Sequence, residues 1–136
     1  MPVFLDTNVL LYSISSDENE FAKREQALCL LDRNDCALSV QVLQEFYVQA
    51  TRQLRPGAIS HATATDLVRT WMRFSVQDNT LPLFQDALHI KAVTGFSFWD
   101  CSILAAARAQ NCSELMTEDL THGREVAGVR IINPFL

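Results

Sequence analysis

The chain has 136 residues, 49% of them hydrophobic and 20% charged. That length sustains a core without disulfides or structural metal, and the composition excludes disordered and fibrous classes. Four glycines and four prolines argue against a loop-rich β-sandwich, and a formal charge of -5 argues against a surface that is basic throughout.

The opening "PVFL" reads as a short buried strand and the apolar run after "DTN" as a short helix, with Asp6 to Asn8 supplying cap-competent side chains between them. "SSDENEFAKREQALCLLDRND" begins with cap residues and spaces Phe21, Leu28 and Leu31 as a helical apolar face, and "CALSV" follows as a compact strand. In "SVQVLQEFYVQATRQL" the residues Leu43, Phe46, Tyr47, Ala50 and Leu54 recur at helical spacing until "RPG" ends the run. A third helix is expected from His61 to Phe74 behind the cap Ser60, then the alternating "FSVQD". A fourth covers Leu81 to Val93 and stops at Gly95, as a helix C-terminus favours. The fifth begins near Trp99, ends around Asn111 and leads into "SELMT"; a last strand, "VRIIN", precedes "PFL".

Strands alternating with helices, without a repeat or linker, predict one α/β domain over residues 1–136 with a mostly parallel sheet covered on both faces. In such sheets ligands bind beyond the carboxyl ends of the strands, where the strand order reverses. Cys29, Cys36, Cys101 and Cys112 have no CxxC spacing and are expected to be reduced core residues. The first apolar run is broken by Asp6 and lacks a basic flank, and no stretch nears the ~20 apolar residues of a spanning helix. A cytoplasmic protein with no membrane partner is expected.

The charge is uneven. Residues 1–45 carry eight acids and three bases, residues 46–77 one acid and four arginines, and residues 78–136 seven acids and four bases. Arg52, Arg55, Arg69 and Arg73 in the basic island are candidate phosphate contacts, although a solvated helix face gives the same pattern.

Acidic groups fall where the topology places a ligand: Asp6 in "FLDTN", Asp100 in "SFWD", and Glu118 with Asp119 in "LMTEDL". Glu45 stands at the edge of an apolar helix face, on one stripe with Gln41, Val48 and Arg52. Each has a plain explanation. Asp6 to Asn8 suit a helix cap, "SFWD" has the form of a capping box, "TED" suits a turn, and Glu45 suits a solvated edge. Independent capping does not explain why acids gather at one edge of one sheet. Two bare carboxylates ~4 Å apart repel by roughly 4 kcal/mol at an effective dielectric near 20, so a cluster of four calls for a cation. Oxygen-only donors favour Mg²⁺ or Mn²⁺ over zinc, and such an ion suits phosphodiester hydrolysis. His61, His89 and His122 are too scattered for a metal-free acid/base pair. A haloacid-dehalogenase-like DxD motif has Asn8 at its third position, the only lysines, Lys23 and Lys91, fall inside predicted helices rather than where a receiver domain needs one, and no Walker loop or GxGxxG occurs.

Taken together, "FLDTNVLLY", "QEF", "FWDCSILAAA" and "LMTEDL", in that order, resemble the PIN-domain ribonucleases, and in size and layout the chain is similar to VapC-type toxins of toxin–antitoxin pairs. The resemblance implies a three-layer α/β/α sandwich with a central parallel sheet and an active site of Asp6, Glu45, Asp100 and Asp119 around Mg²⁺ or Mn²⁺. Asp6 and Asp100 would be the firmest ligands, Glu45 and Asp119 would complete the pocket directly or through water, and Asn8 and Thr117 would orient it; Glu118 falls where the family varies and is left as a candidate supporting residue. It further implies an endoribonuclease of a type II module, acting on RNA such as transfer or ribosomal RNA, homodimeric and silenced by a cognate antitoxin. Two other readings use the same residues: a non-catalytic adaptor that holds a basic peptide in the acidic groove, and a nuclease directed at DNA.

Overall fold

The computed structural model describes residues 2–136. The chain starts with β1 (Val3–Leu5), buried along its whole length, and turns at Asp6 into α1 (Thr7–Ser13). A 3-10 turn (Glu18–Glu20) leads into α2 (Phe21–Leu31), and β2 (Cys36–Ser39) passes directly into α3 (Val40–Ala50). α4 (His61–Trp71), β3 (Ser75–Gln77), α5 (Leu81–Thr94), α6 (Phe98–Ala109) and β4 (Glu114–Met116) follow. The hairpin of β5 (Glu125–Val126) and β6 (Val129–Ile132) completes the order.

The six strands form one sheet in the order β3-β2-β1-β4-β6-β5, parallel except for β5 against β6. From β1 the chain steps outward through β2 to β3, then returns by α5 and α6 to place β4 on the other side of β1. The strand order therefore reverses between β1 and β4, which opens a crevice at their carboxyl ends. The register aligns Leu5 with Met116. Asp6 and Thr117 thus become the first residues beyond the two strands.

β1 and β2 are buried on both faces, so helices must cover the sheet above and below. α6 packs on β2, β4 and β6 and carries α5 outside it, while α3 packs on β2 and gathers α1 and α4. Cys101 to Ala107 of α6 are all buried. Three consecutive alanines there let the helix sit between sheet and α5. Phe4, Leu38, Phe46, Leu104, Leu115 and Ile131 are sealed from solvent, and burying a leucine of this kind contributes about 2 kcal/mol. Trp71 meets Phe46 edge-on at 4.7 Å and fastens α4 to α3. Among the described residues no helix is long and apolar enough to cross a membrane.

Several local expectations need correction. α3 ends at Ala50, whose carbonyl takes a hydrogen bond from Ile59 N as the chain doubles back, so Leu54 lies outside the helix and is 94% exposed. α2 has the expected helical period but a different phase: Ala27, Leu30 and Leu31 are buried while Phe21 and Leu28 face solvent. Cys29 shares that outer face and is exposed, unlike Cys36, Cys101 and Cys112. α4 stops at Trp71 rather than Phe74. The strand β5 carried no signal because its two-residue turn is Ala127-Gly128, both at positive φ (52° and 83°), where Asn-Gly is the usual signature.

Candidate active site

Asp6 caps α1: its Oδ1 accepts from Thr7 N at 2.7 Å. Its Oδ2 accepts from Thr117 Oγ1 at 2.8 Å across the crevice, and Asp6 N donates to Met116 O at 3.0 Å. Thr117 is fully buried, and its hydroxyl oxygen already accepts from Asn8 Nδ2 (3.2 Å) and Asp119 N (3.1 Å). With both acceptor positions filled, its single hydrogen is committed to Asp6. Asn8 Nδ2 also donates to Asp119 Oδ2 at 3.1 Å.

Glu45 enters from α3, held at both oxygens. Oε2 accepts from Thr7 Oγ1 at 2.8 Å and Oε1 from Gln41 Nε2 at 2.9 Å, one helical turn earlier. Gln41 reaches on to Trp99 O at 3.2 Å and so ties α3 to the start of α6. Asp100 lies in the first turn of α6, where its backbone N donates to the cap Ser97 Oγ at 3.2 Å. The capping roles of "DTN" and "SFWD" are real, and they coexist with the site: Asp6, Glu45, Asp100 and Asp119 line one cleft of about 310 Å³.

The electrostatics show what this gathering costs. Asp6 is 5% exposed, and burial pushes its carboxyl from 3.8 up to about 7 in spite of the Thr117 and Thr7 hydrogen bonds, with Asp119 and Glu45 adding to the rise. Asp100 is also raised, first by burial and then by Asp119 and Glu45. Among the described residues none of the four acids has a salt-bridge partner.

Among the described residues no three His, Cys, Asp or Glu side chains form a ready-made ion cage. The donor chemistry nevertheless fits a hard divalent ion. Every group in the cleft that bears charge is a carboxylate, and an oxygen that accepts one protein hydrogen bond keeps a second lone pair. Asn8, in the same cleft, has its Oδ1 buried without a hydrogen-bond partner.

Of the four arginines of the basic island, Arg52 adjoins the cleft, in a groove it shares with Glu45, Gln49 and Trp99. Arg55 lines a separate hollow with Asp17 and Glu20. Arg69 is exposed on the last turn of α4. Arg73 donates to Leu31 O at 2.6 Å and lies over the Phe74 ring, 4.2 Å from its centre, beside the amino end of β3. The structure does not bring the last three into the cleft. None of the three histidines lines it either.

Glu118 turns away from the cleft. Its carboxylate takes hydrogen bonds from Tyr12 OH at 2.5 Å and Lys23 Nζ at 3.1 Å, and Tyr12 packs edge-on against Phe135. The segment that carries Thr117 and Asp119 is thus moored to α1, α2 and the chain's last residues. Sequence reasoning missed Thr7, Gln41, Trp99, Tyr12 and Lys23 as contributors. For Gln41 a signal existed, its position four residues before Glu45; Lys23 bonds a residue 95 positions away and left none.

Fold and cleft define an α/β protein with a carboxylate site at its strand switch point. Residues 3–125 match the family model of the PIN domain, and the chain belongs to that family. No match was found among curated proteins. Among solved structures, a toxin–antitoxin complex from Klebsiella pneumoniae is similar over 98% of both chains, with 19% identity and a TM-score of 0.70. The sarcin-ricin loop cleaving toxin VapC20 of Mycobacterium tuberculosis is 20% identical over 86% of this chain and 91% of its own, with a TM-score of 0.66. FitAcB of Neisseria gonorrhoeae is 18% identical over 98% of each chain, also with a TM-score of 0.66. At these identities the likeness establishes a common fold.

Proposed function

We propose that this protein is a divalent-metal-dependent endoribonuclease, using Mg²⁺ with Mn²⁺ as a substitute, and the toxin of a type II toxin–antitoxin pair. The observation that carries this reading is the convergence of Asp6, Glu45, Asp100 and Asp119, from four separate segments, on one cleft at the switch point of a PIN fold. Asp6 and Asp100 are the proposed ligands, with Glu45 and Asp119 completing the set. When bound, the ion supplies neutralisation of the phosphoryl oxygens and a water of lowered pKa.

The chain's own residues prepare that site. Thr117 and the Thr7 amide hold the Asp6 carboxyl in one orientation, Thr7 and Gln41 do the same for Glu45, and Asn8 steadies Asp119. Burial pushes the Asp6 carboxyl up to about 7, so the ion-free cleft favours its protonated form and affinity for a cation would rise with pH. Arg52, beside the cleft, is the proposed contact for a neighbouring phosphate; Arg55 and Arg69 would act farther along a bound RNA, whereas Arg73 is engaged by Leu31 O and Phe74 at the other end of the sheet. RNA as substrate is supported by the VapC20 likeness, and a cognate antitoxin by the Klebsiella complex. We place the protein in the cytoplasm as a one-domain chain that forms homodimers.

Incubation with matched RNA and DNA strands in Mg²⁺, Mn²⁺ or EDTA tests the reading. RNA cleavage that stops with EDTA and is lost in Asp6→Asn is expected. Full chelator-sensitive cleavage by Asp6→Asn would remove Asp6 from the site, cleavage of DNA alone would change the substrate, and turnover-free capture of an Arg-rich peptide would make the protein an adaptor.

A further inference from the structure

We propose that Trp99, backed by Phe98 and Phe84, is a stacking platform for one unpaired base of the nucleic acid whose phosphate occupies the acid cleft, and that Gln44 and Asn79 meet the edge of that base. The inference rests on the nuclease reading and adds a base-binding subsite to it. Trp99 is 63% exposed, a large apolar surface to leave beside a cleft of carboxylates. It lines the acid cleft itself, the groove that holds Arg52, and a hollow toward Phe84, so a ligand lying across Trp99 is continuous with one lying in the cleft. Its backbone is fixed, because its carbonyl accepts from the buried Gln41 and the next residue is Asp100 in the first turn of α6. Phe98 meets the indole edge-on with ring centres 5.1 Å apart, and Phe84 meets Phe98 at 5.6 Å, which braces the platform from behind.

The chemistry of the hollow selects the occupant. Gln44, Asn79, Thr80 and Ser102 supply neutral donors and acceptors, and no charged side chain lines it. A basic peptide finds no carboxylate there and an anion finds no cation, whereas a flat heteroaromatic ring with hydrogen-bonding edges finds a ring to stack on and amides to meet. Arg52, in the groove on which Trp99 also borders, is placed for the adjoining phosphate. A base stacked on Trp99 is withdrawn from pairing, so the substrate is single-stranded at that nucleotide.

The test uses the full chain with a labelled unstructured RNA oligonucleotide in Ca²⁺ in place of Mg²⁺, with intact oligonucleotide verified after each measurement, so that binding is read with the carboxylates neutralised and without turnover, and a set of the same oligonucleotide with each base removed in turn. Trp99→Ala is expected to raise Kd about 5- to 100-fold and Trp99→Phe to restore most of the loss. Removal of one particular base should erase the advantage of the wild type over Trp99→Ala. Equal Kd for wild type and Trp99→Ala, or an undiminished difference on every base-free oligonucleotide, overturns the platform even where RNA is cleaved normally. Binding of an apolar peptide at Trp99 in competition with no RNA overturns it too. Absence of both RNA binding and cleavage in the wild type removes the ribonuclease reading and, with it, the platform for an RNA base.

Discussion

At the amino ends of the strands Arg33 and Asp35 form an exposed ion pair at 2.8 Å, and the Cys36 and Cys112 thiols are pushed up to about 11 by burial, so they stay neutral. At the carboxyl ends of the same sheet Asp6 is buried among acids, hydrogen-bonded to neutral donors only, and pushed up to about 7. The first end holds an exposed, matched pair of charges, while the second holds like charges without an ion-pair partner around one buried acid. A buried acid of this kind lowers stability, so its presence points to a ligand that is positive.

The sharpest way to break this contrast is at Asp100. On the proposed reading, Asp100→Asn should lower RNA cleavage by at least about 100-fold in a turnover assay while its circular dichroism melt stays cooperative, because the lost charge would matter to a cation in the cleft and not to packing. Undiminished cleavage would mean that the carboxyl end is only an unusual cap.

The next effect is on stability. Asp6 binds its proton more tightly folded than unfolded, so the stabilisation is present at low pH and is lost as pH rises from about 4 to about 7. The ion-free protein should lose on the order of 3 kcal/mol over that window in denaturant titrations, from this group. Mn²⁺ should raise the melting temperature more at pH 8 than at pH 5.5. Stability that climbs through the window would contradict the burial of Asp6.

Thr117→Val tests the donor that partly offsets this cost. It keeps the shape but removes the hydrogen committed to Asp6 together with the acceptor for Asn8 Nδ2 and Asp119 N, and at least about 2 kcal/mol of stability should go with them in the same titration. The smallest effect is expected at the other end of the sheet. Arg33→Ala should cost ~0.5 kcal/mol or less and leave cleavage unchanged, since the pair is solvent-exposed. A large loss there would erase the difference between the two ends.

Much of the architecture was legible because strand and helix periods differ, and because caps such as Ser60, Ser97 and Gly95 stand where the structure uses them. The period of α2 was legible but its phase was not, since Phe21 and Leu28 read as apolar whether they face the sheet or the solvent. The acids could be named one by one, because each follows a strand or opens a helix. What the sequence hid was their support. Thr7 to Glu45 spans 38 residues and Asp6 to Thr117 spans 111, and hydrogen bonds over such distances leave no local pattern. Leu54 shows the converse, a residue in perfect helical register that the turn at Ala50 leaves in water.

Lys23 also reaches toward the rings of Tyr12 and Phe135, at 4.8 and 5.9 Å from their centres. A fusion placed behind Leu136 therefore hangs from the same bracket that fixes the rim of the acid cleft: tension on Phe135 passes through Tyr12 to Glu118, whose backbone neighbours are Thr117 and Asp119. A long compliant spacer would keep cargo joined at that end clear of the Phe135–Tyr12 contact.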